Sequence, residues 1–159
     1  MRYSLRQKLL SFGDDFTIKD AAGQDRYFVD GKAFSLGDKA TFEDMQGSEL
    51  ARIEQKLLSL GRTYRIYKGD TLAATVKKKK FTLFRDVFSI EDEAAGDFDA
   101  TGDFLDHEYQ ITRDGRPIAS VSKRFFSLSD TYGVDIADGE DDVLILAIAV
   151  VIDMCSHDE

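Results

Sequence analysis

The sequence predicts a mainly β protein, a closed antiparallel β-barrel wound around a hydrophobic C-terminal α-helix. Two observations carry that expectation. The chain ends in ten consecutive apolar residues, Val143 to Ile152, within an otherwise polar and acidic protein. Ahead of them, a short unit of turn and strand recurs along the chain. A segment apolar on every side must be enclosed on every side. The repeated strands therefore read as a shell and the tail as its filling.

The repeat is clearest at a displacement of 68 residues. Gly47, Leu50, Ala51, Ile53, Lys56, Ser59, Thr63, Tyr64 and Ile66 then fall on Gly115, Ile118, Ala119, Val121, Arg124, Ser127, Thr131, Tyr132 and Val134. A third copy begins at Gly69 and, after a one-residue slip, places Lys79 with Lys56 and Arg124. A fainter fourth begins at Gly23 and includes Lys32, Phe34, Ser35, Leu36 and Gly37. Neighbouring copies start about 22 to 24 residues apart, a spacing typical of repeated supersecondary units.

Each copy reads as a turn followed by strand. Gly23, Gly69-Asp70 and Asp114-Gly115 lie between extended segments, as hairpin turns require. Tyr64-Arg-Ile-Tyr67 and Tyr109-Gln-Ile-Thr112 alternate large and polar residues and favour strand. The inward parity changes once per copy, between Ile53 and Leu58 and again between Val121 and Phe126. A β-bulge there would restore the facing and curve the sheet toward closure.

The terminal run has the Val and Ile content of a buried strand. Its length, its two alanines and the acids Asp138, Glu140, Asp141 and Asp142 ahead of it favour helix. Carboxylates at that end cap free amides and meet the positive end of the helix dipole. A helix of about 12 residues is ~18 Å long, a suitable plug for a small barrel. The run is too short to span a bilayer, which needs about 20 helical residues, so the protein is expected not to be transmembrane.

Residues 1–159 fit one domain with one core. Arg2, Arg6 and Lys8 interrupt any apolar leader, and Cys155 is the lone cysteine, so a reducing cytoplasm is the expected compartment. A net charge of -9 opposes nucleic acid as a partner.

Beyond these patterns, the order of Phe16-Thr-Ile-Lys-Asp20, Tyr27-Phe-Val-Asp-Gly-Lys32, Phe34-Ser-Leu-Gly37, Glu49-Leu-Ala-Arg-Ile-Glu-Gln-Lys56 and the closing segment from Asp142 to Asp153 resembles the LURP-one-related family. The resemblance covers essentially the whole chain. It implies a tubby C-terminal-like fold, akin also to phospholipid scramblases, with about twelve strands around the C-terminal helix. It implies no established reaction and no cofactor. Tubby domains bind phosphoinositide head groups and scramblases act on membrane lipid. The cysteine-rich and calcium segments associated with scramblases have no counterpart in this sequence.

Lys77, Lys78, Lys79 and Lys80 form the one dense basic cluster, a candidate site for anionic lipid head groups. A structural account competes with it, because lysines on exposed or edge strands discourage aggregation. Asp97, Asp99, Thr101, Gly102 and Glu108 match a calcium-loop spacing. Their flanks read as strands rather than the helices such a loop joins, so an acidic hairpin with Phe98 and Phe104 turned inward is the plainer account. His107 lies between Asp106 and Glu108, where a general base is conceivable, and His157 falls in a polar tail. Neither has the paired spacing of a metal site. Gly31-Lys32 lacks the glycine and hydroxyl of a phosphate loop. Cys155 reads as a small buried hydrophobe.

The sequence therefore points to a non-catalytic binding or scaffold module with no metal and no cofactor. Its expected partner is an anionic phospholipid or a protein, engaged by the barrel exterior, since the helix would fill the interior. The alternative is a metal-assisted enzyme or calcium-binding protein using the acidic segment 97–108.

Overall fold

The structure, a computed structural model, describes residues 1–6, 15–31, 39–56, 63–82, 85–94, 96–125 and 131–157. Twelve strands follow one another in the order β1 (Arg2–Arg6), β2 (Phe16–Asp20), β3 (Asp25–Asp30), β4 (Lys39–Asp44), β5 (Glu49–Gln55), β6 (Thr63–Lys68), β7 (Thr71–Thr82), β8 (Arg85–Asp92), β9 (Phe98–Asp103), β10 (Glu108–Arg113), β11 (Arg116–Ser122) and β12 (Thr131–Ile136). Each pairs antiparallel with its neighbour in sequence, and β1 pairs with β12 to close the barrel. The helix α1 (Asp142–His157) follows and runs through the middle. The terminal run is thus helix rather than strand, and it extends beyond the apolar residues at its C-terminal end.

Strand alternation supplies the inner face. Tyr3 and Leu5, Ala51 and Ile53, Tyr109 and Ile111, and Tyr132, Val134 and Ile136 all point inward and are buried. Large residues face small ones across the strand pairs. Phe42 opposes Ala51, Ile53 opposes Ala40, Ile66 opposes Ala74, and Ile111 lies between Ala100 and Ala119. An α-helix with its side chains is roughly 10–12 Å across, and these inward alanines leave the width it needs. Every residue of α1 from Leu144 to Asp153 is buried.

The repeat corresponds to a hairpin device. In β2–β3, β4–β5, β6–β7 and β10–β11 the register slips once, close to the turn, leaving Arg26, Leu50, Ala73 and Ile118 as the extra residues. The copies at Gly47 and Gly115 place that residue three positions after the glycine. At Gly69 it is four, because Gly69 opens its two-residue loop whereas Gly115 closes its own. That is the origin of the one-residue slip in the sequence. Asp114 and Gly115 both have positive φ (51° and 77°), the left-handed pair that a tight two-residue hairpin demands. Bulges twist and curve a sheet, and four of them at one end help the barrel close. A further register shift, between Lys80 and Thr82 of β7, falls where the third copy places its change of parity; the corresponding segments 57–62 and 126–130 of the other copies lie outside the described residues.

The turns at that end also share their chemistry. The Asp20 carboxylate accepts the amides of Ala22 and Gln24 at 2.9 and 3.0 Å, and Asp44 accepts those of Gln46 and Ser48, both at 2.9 Å. At the opposite end, Gly102 brings two backbones together. A Cβ there would stand 2.6 Å from the Glu108 carbonyl oxygen and from the Tyr109 Cα, so no side chain fits.

Three successive acids fix the start of α1. The Asp141 carboxylate accepts the Leu144 amide at 3.2 Å as an N-cap, and its carbonyl accepts the Ile145 amide at 3.0 Å. Asp141 also pairs with Lys68 of β6. Glu140 accepts from Arg113 of β10 at 3.0 Å, and Asp142 accepts from the Tyr3 hydroxyl of β1 at 2.5 Å. The carboxylates expected to serve the helix dipole thus also tie the helix to three strands. Outside the seam, the Arg2 guanidinium lies 3.6 Å from Asp135 and 4.2 Å above the Phe125 ring, bracing β1 against β12.

If the enclosed helix is the core, trimming it must leave a cavity that the barrel cannot collapse. Leu146→Ala is expected to lower stability by about 2–5 kcal/mol, read as a shift of the urea midpoint. A loss below about 1 kcal/mol, the range of surface positions, would contradict the packing.

Candidate functional site

The lysine run lies on β7, and the strand divides it. Lys77 pairs with Ser89, Lys78 with Phe88, Lys79 with Val87 and Lys80 with Asp86. Residues paired across antiparallel strands share a face. Phe88 is fully buried on the inner face, so the half-buried Lys78 belongs to that side, near the end of the barrel. Lys77 and Lys79 stand on the outer face, where Lys77 contacts Glu91 at 3.0 Å and Lys79 is exposed. Period-two alternation thus splits what the sequence presents as a single block.

The acidic segment 97–108 is a hairpin. Asp99 is exposed on β9 opposite Thr112, whereas Glu108 pairs with Asp103 at the other end of the same ladder. Glu108 accepts from the Ser122 hydroxyl at 2.9 Å and from the Lys123 amide at 3.1 Å. The calcium-loop positions are therefore strung along two strands rather than gathered around a point. Among the described residues, no group of three His, Cys, Asp or Glu side chains is placed to hold a metal ion. Phe98 and Phe104 are buried, as the hairpin reading expects, and the Phe104 ring meets Phe88 edge-on at 4.8 Å.

His107 is not at the surface. Its φ of 53° turns the β9–β10 connection inward, and its side chain is 2% exposed. Nε2 lies 2.6 Å from Oδ1 of Asp153 on α1, and the ring stacks on Tyr132 at 4.3 Å. Tyr109 is buried in the same region, its ring 5.0 Å from Phe104. A base enclosed in this way meets no substrate from solvent; its geometry joins a turn to a helix. A carboxylate in the last turns of a helix faces the negative end of the dipole, and the imidazole offsets that cost. Sequence reasoning singled out His107 but paired it with Asp106 and Glu108, its neighbours in the chain. Asp153, the partner the fold supplies, was visible only as the acid that ends the apolar run.

Loss of this link should weaken the lower end of the helix. Asp153→Ala and His107→Ala are each expected to cost about 2–3 kcal/mol. The double variant should lose clearly less than the sum, as contacting partners do; strict additivity in urea unfolding would contradict the link.

Burial pushes the phenols of Tyr109 and Tyr132 well above their ordinary range, and the nearby Asp153 charge adds to it. Tyr3 is raised by burial and by its hydrogen bond to Asp142. The unfolded chain releases phenolic protons near pH 10, protons which these three residues keep in the fold. Stability is therefore complete below about pH 10 and falls as pH rises beyond it. In an alkaline titration, part of the tyrosinate absorbance should emerge only with unfolding. Smooth ionisation of all six tyrosines in the folded protein would contradict their enclosure.

Comparison with known proteins agrees with this architecture. A family model described as LURP-one-related matches residues 1–153. The chain is 36% identical over 156 residues to "Uncharacterized protein YxjI" of Bacillus subtilis (strain 168), covering 98% of this chain and 93% of that protein. An X-ray structure of an Arabidopsis thaliana protein superimposes with a TM-score of 0.71 at 16% identity, covering 96% of this chain and 89% of the other. That likeness is one of fold. No described helix is long and apolar enough to cross a membrane. The chain belongs to the LURP-one-related family.

Proposed function

We propose that this chain is a non-catalytic binding module of the cytoplasm that engages anionic phospholipid head groups through the outside of its barrel. The observation that supports this reading most is the filled interior. From Leu144 to Asp153 the helix occupies the space in which an open barrel would hold its ligand. Recognition then belongs to the exterior, and β7 turns Lys77 and Lys79 of its lysine run toward it. Lys79, exposed, and Lys77, half-buried and paired with Glu91, present ammonium groups outward. A Lys near an anionic bilayer contributes about 1 kcal/mol, so a few such residues give weak and reversible attachment. A protein surface as partner would use the same face.

Sedimentation with phosphatidylserine-containing vesicles tests the reading. The wild type is expected to pellet with them and not with neutral vesicles. A Lys77/Lys78/Lys79/Lys80→Gln variant with an unchanged melting temperature should bind at least tenfold more weakly. Absence of binding by the wild type, or equal binding by both proteins, rejects it.

A further inference from the structure

The two ends of the barrel differ in charge. At one end lie the even-to-odd turns and the start of α1. Their connecting residues include Asp70, Glu93, Asp114, Asp138, Glu140 and Asp141 and contain no Lys or Arg; Lys68 and Arg113 at the adjoining strand ends pair with Asp141 and Glu140, and Asp103, Asp106 and Glu108 lie at the opposite end. At the other end, β5, β7 and β11 terminate in the recurring basic position of the repeat. Lys56 immediately follows β5, Arg124 is the second residue after β11, and Lys79 lies near the end of β7; all three are exposed. Lys123 stands beside them, 3.9 Å from Asp106. The tip of the β9–β10 turn at this end is Leu105, which at 65% is the most exposed large hydrophobic described; the next, Met1 and Met45, lie at the opposite end.

Along the sequence, the recurring basic position opens one repeated pattern, a cation followed by apolar residues around a hydroxyl. It reads Lys-Leu-Leu-Ser-Phe at 8–12, Lys-Ala-Phe-Ser-Leu at 32–36, Lys-Leu-Leu-Ser-Leu at 56–60, Lys-Lys-Phe-Thr-Leu at 79–83 and Arg-Phe-Phe-Ser-Leu at 124–128. Cations beside apolar residues are the composition that an anionic lipid interface attracts.

We propose that the barrel docks end-on against an anionic phospholipid bilayer, with the rim bearing Lys56, Lys79, Lys123 and Arg124 toward the lipid and the acidic rim toward solvent. Charge complementarity selects this end in spite of the net charge of -9. Strands of about six residues at ~3.3 Å each separate the rims by roughly 20 Å. At physiological salt the Debye length is about 8 Å, so the distant carboxylates are largely screened from the bilayer. The inference rests on head-group binding and adds an orientation, three cations outside the β7 run (Lys56, Lys123 and Arg124), and a requirement for a bilayer rather than a soluble phosphate.

The chain contains no tryptophan, which makes a single introduced indole a clean reporter. Leu105→Trp places it at the basic rim and Met45→Trp at the acidic one. With phosphatidylserine vesicles carrying brominated acyl chains, the expected result is quenching at position 105 and none at 45. Separately, Lys56→Gln/Arg124→Gln, which leaves the lysine run intact, should weaken vesicle partitioning roughly 25-fold, about fivefold per charge. Quenching at both positions, at neither, or at 45 alone overturns end-on docking, as does unchanged partitioning of that pair. If β7 substitution abolishes binding while these two tests are negative, head-group binding stands and the orientation falls. If the wild type binds no vesicles, both fall together.

Discussion

A helix with no polar face cannot exist in water, and the rest of this structure follows from enclosing one. The segment from Leu144 to Ile152 is apolar on all sides and buried on all sides. A two-layer arrangement would cover one stripe of such a helix and leave the other wet. A closed ring of strands covers every direction and also removes the exposed sheet edges that invite aggregation. The alternation of bulky residues with Ala40, Ala51, Ala74, Ala100 and Ala119 on the inner face is the consequence. Those alanines leave the barrel wide enough for its axle. The hydrophobic term dominates, but it is non-directional and fixes neither the depth nor the rotation of the helix.

Polar contacts supply that missing direction, and they lie at the two ends. Glu140, Asp141 and Asp142 tie the entry of α1 to β10, β6 and β1. The Asp153–His107 pair ties its exit to the β9–β10 turn. Of the entry contacts, Lys68–Asp141 is exposed, where solvent screens an ion pair to about 1 kcal/mol or less, whereas Arg113–Glu140 and Tyr3–Asp142 are partly buried; the exit contact is enclosed. The two ends are therefore held differently, one by three contacts of graded exposure and the other by a fully buried pair. Raised phenol protonation at Tyr109 and Tyr132 is a by-product of the same enclosure.

An occupied interior moves any recognition to the outer wall and the rims. There the alternation of the strand governs what can act together. Consecutive lysines at 77 and 78 face opposite sides, whereas Lys56, Lys79 and Arg124, far apart in sequence, lie at or near the ends of strands that run in the same direction. A closed meander turns a linear repeat into a ring, so one residue type at one repeat position becomes a property of one end of the molecule.

The sequence by itself determined the enclosure: the apolar run at 143–152, the repeated glycines and the alternating strands already required a barrel around a helix. These are local signals, written in period, length and turn chemistry. It also contained His107 and Asp153, the lysine run and the acids before the helix, but not their relations. Asp153 meets His107 across 46 residues of chain, and Tyr3 meets Asp142 across 139. Four bulges sit beside the turns, where the sequence did not mark them, because register depends on both partners of a ladder and one strand cannot specify it. Only the closed tertiary structure, by fixing which strand ends share a rim and which side chains share a face, decided those pairings.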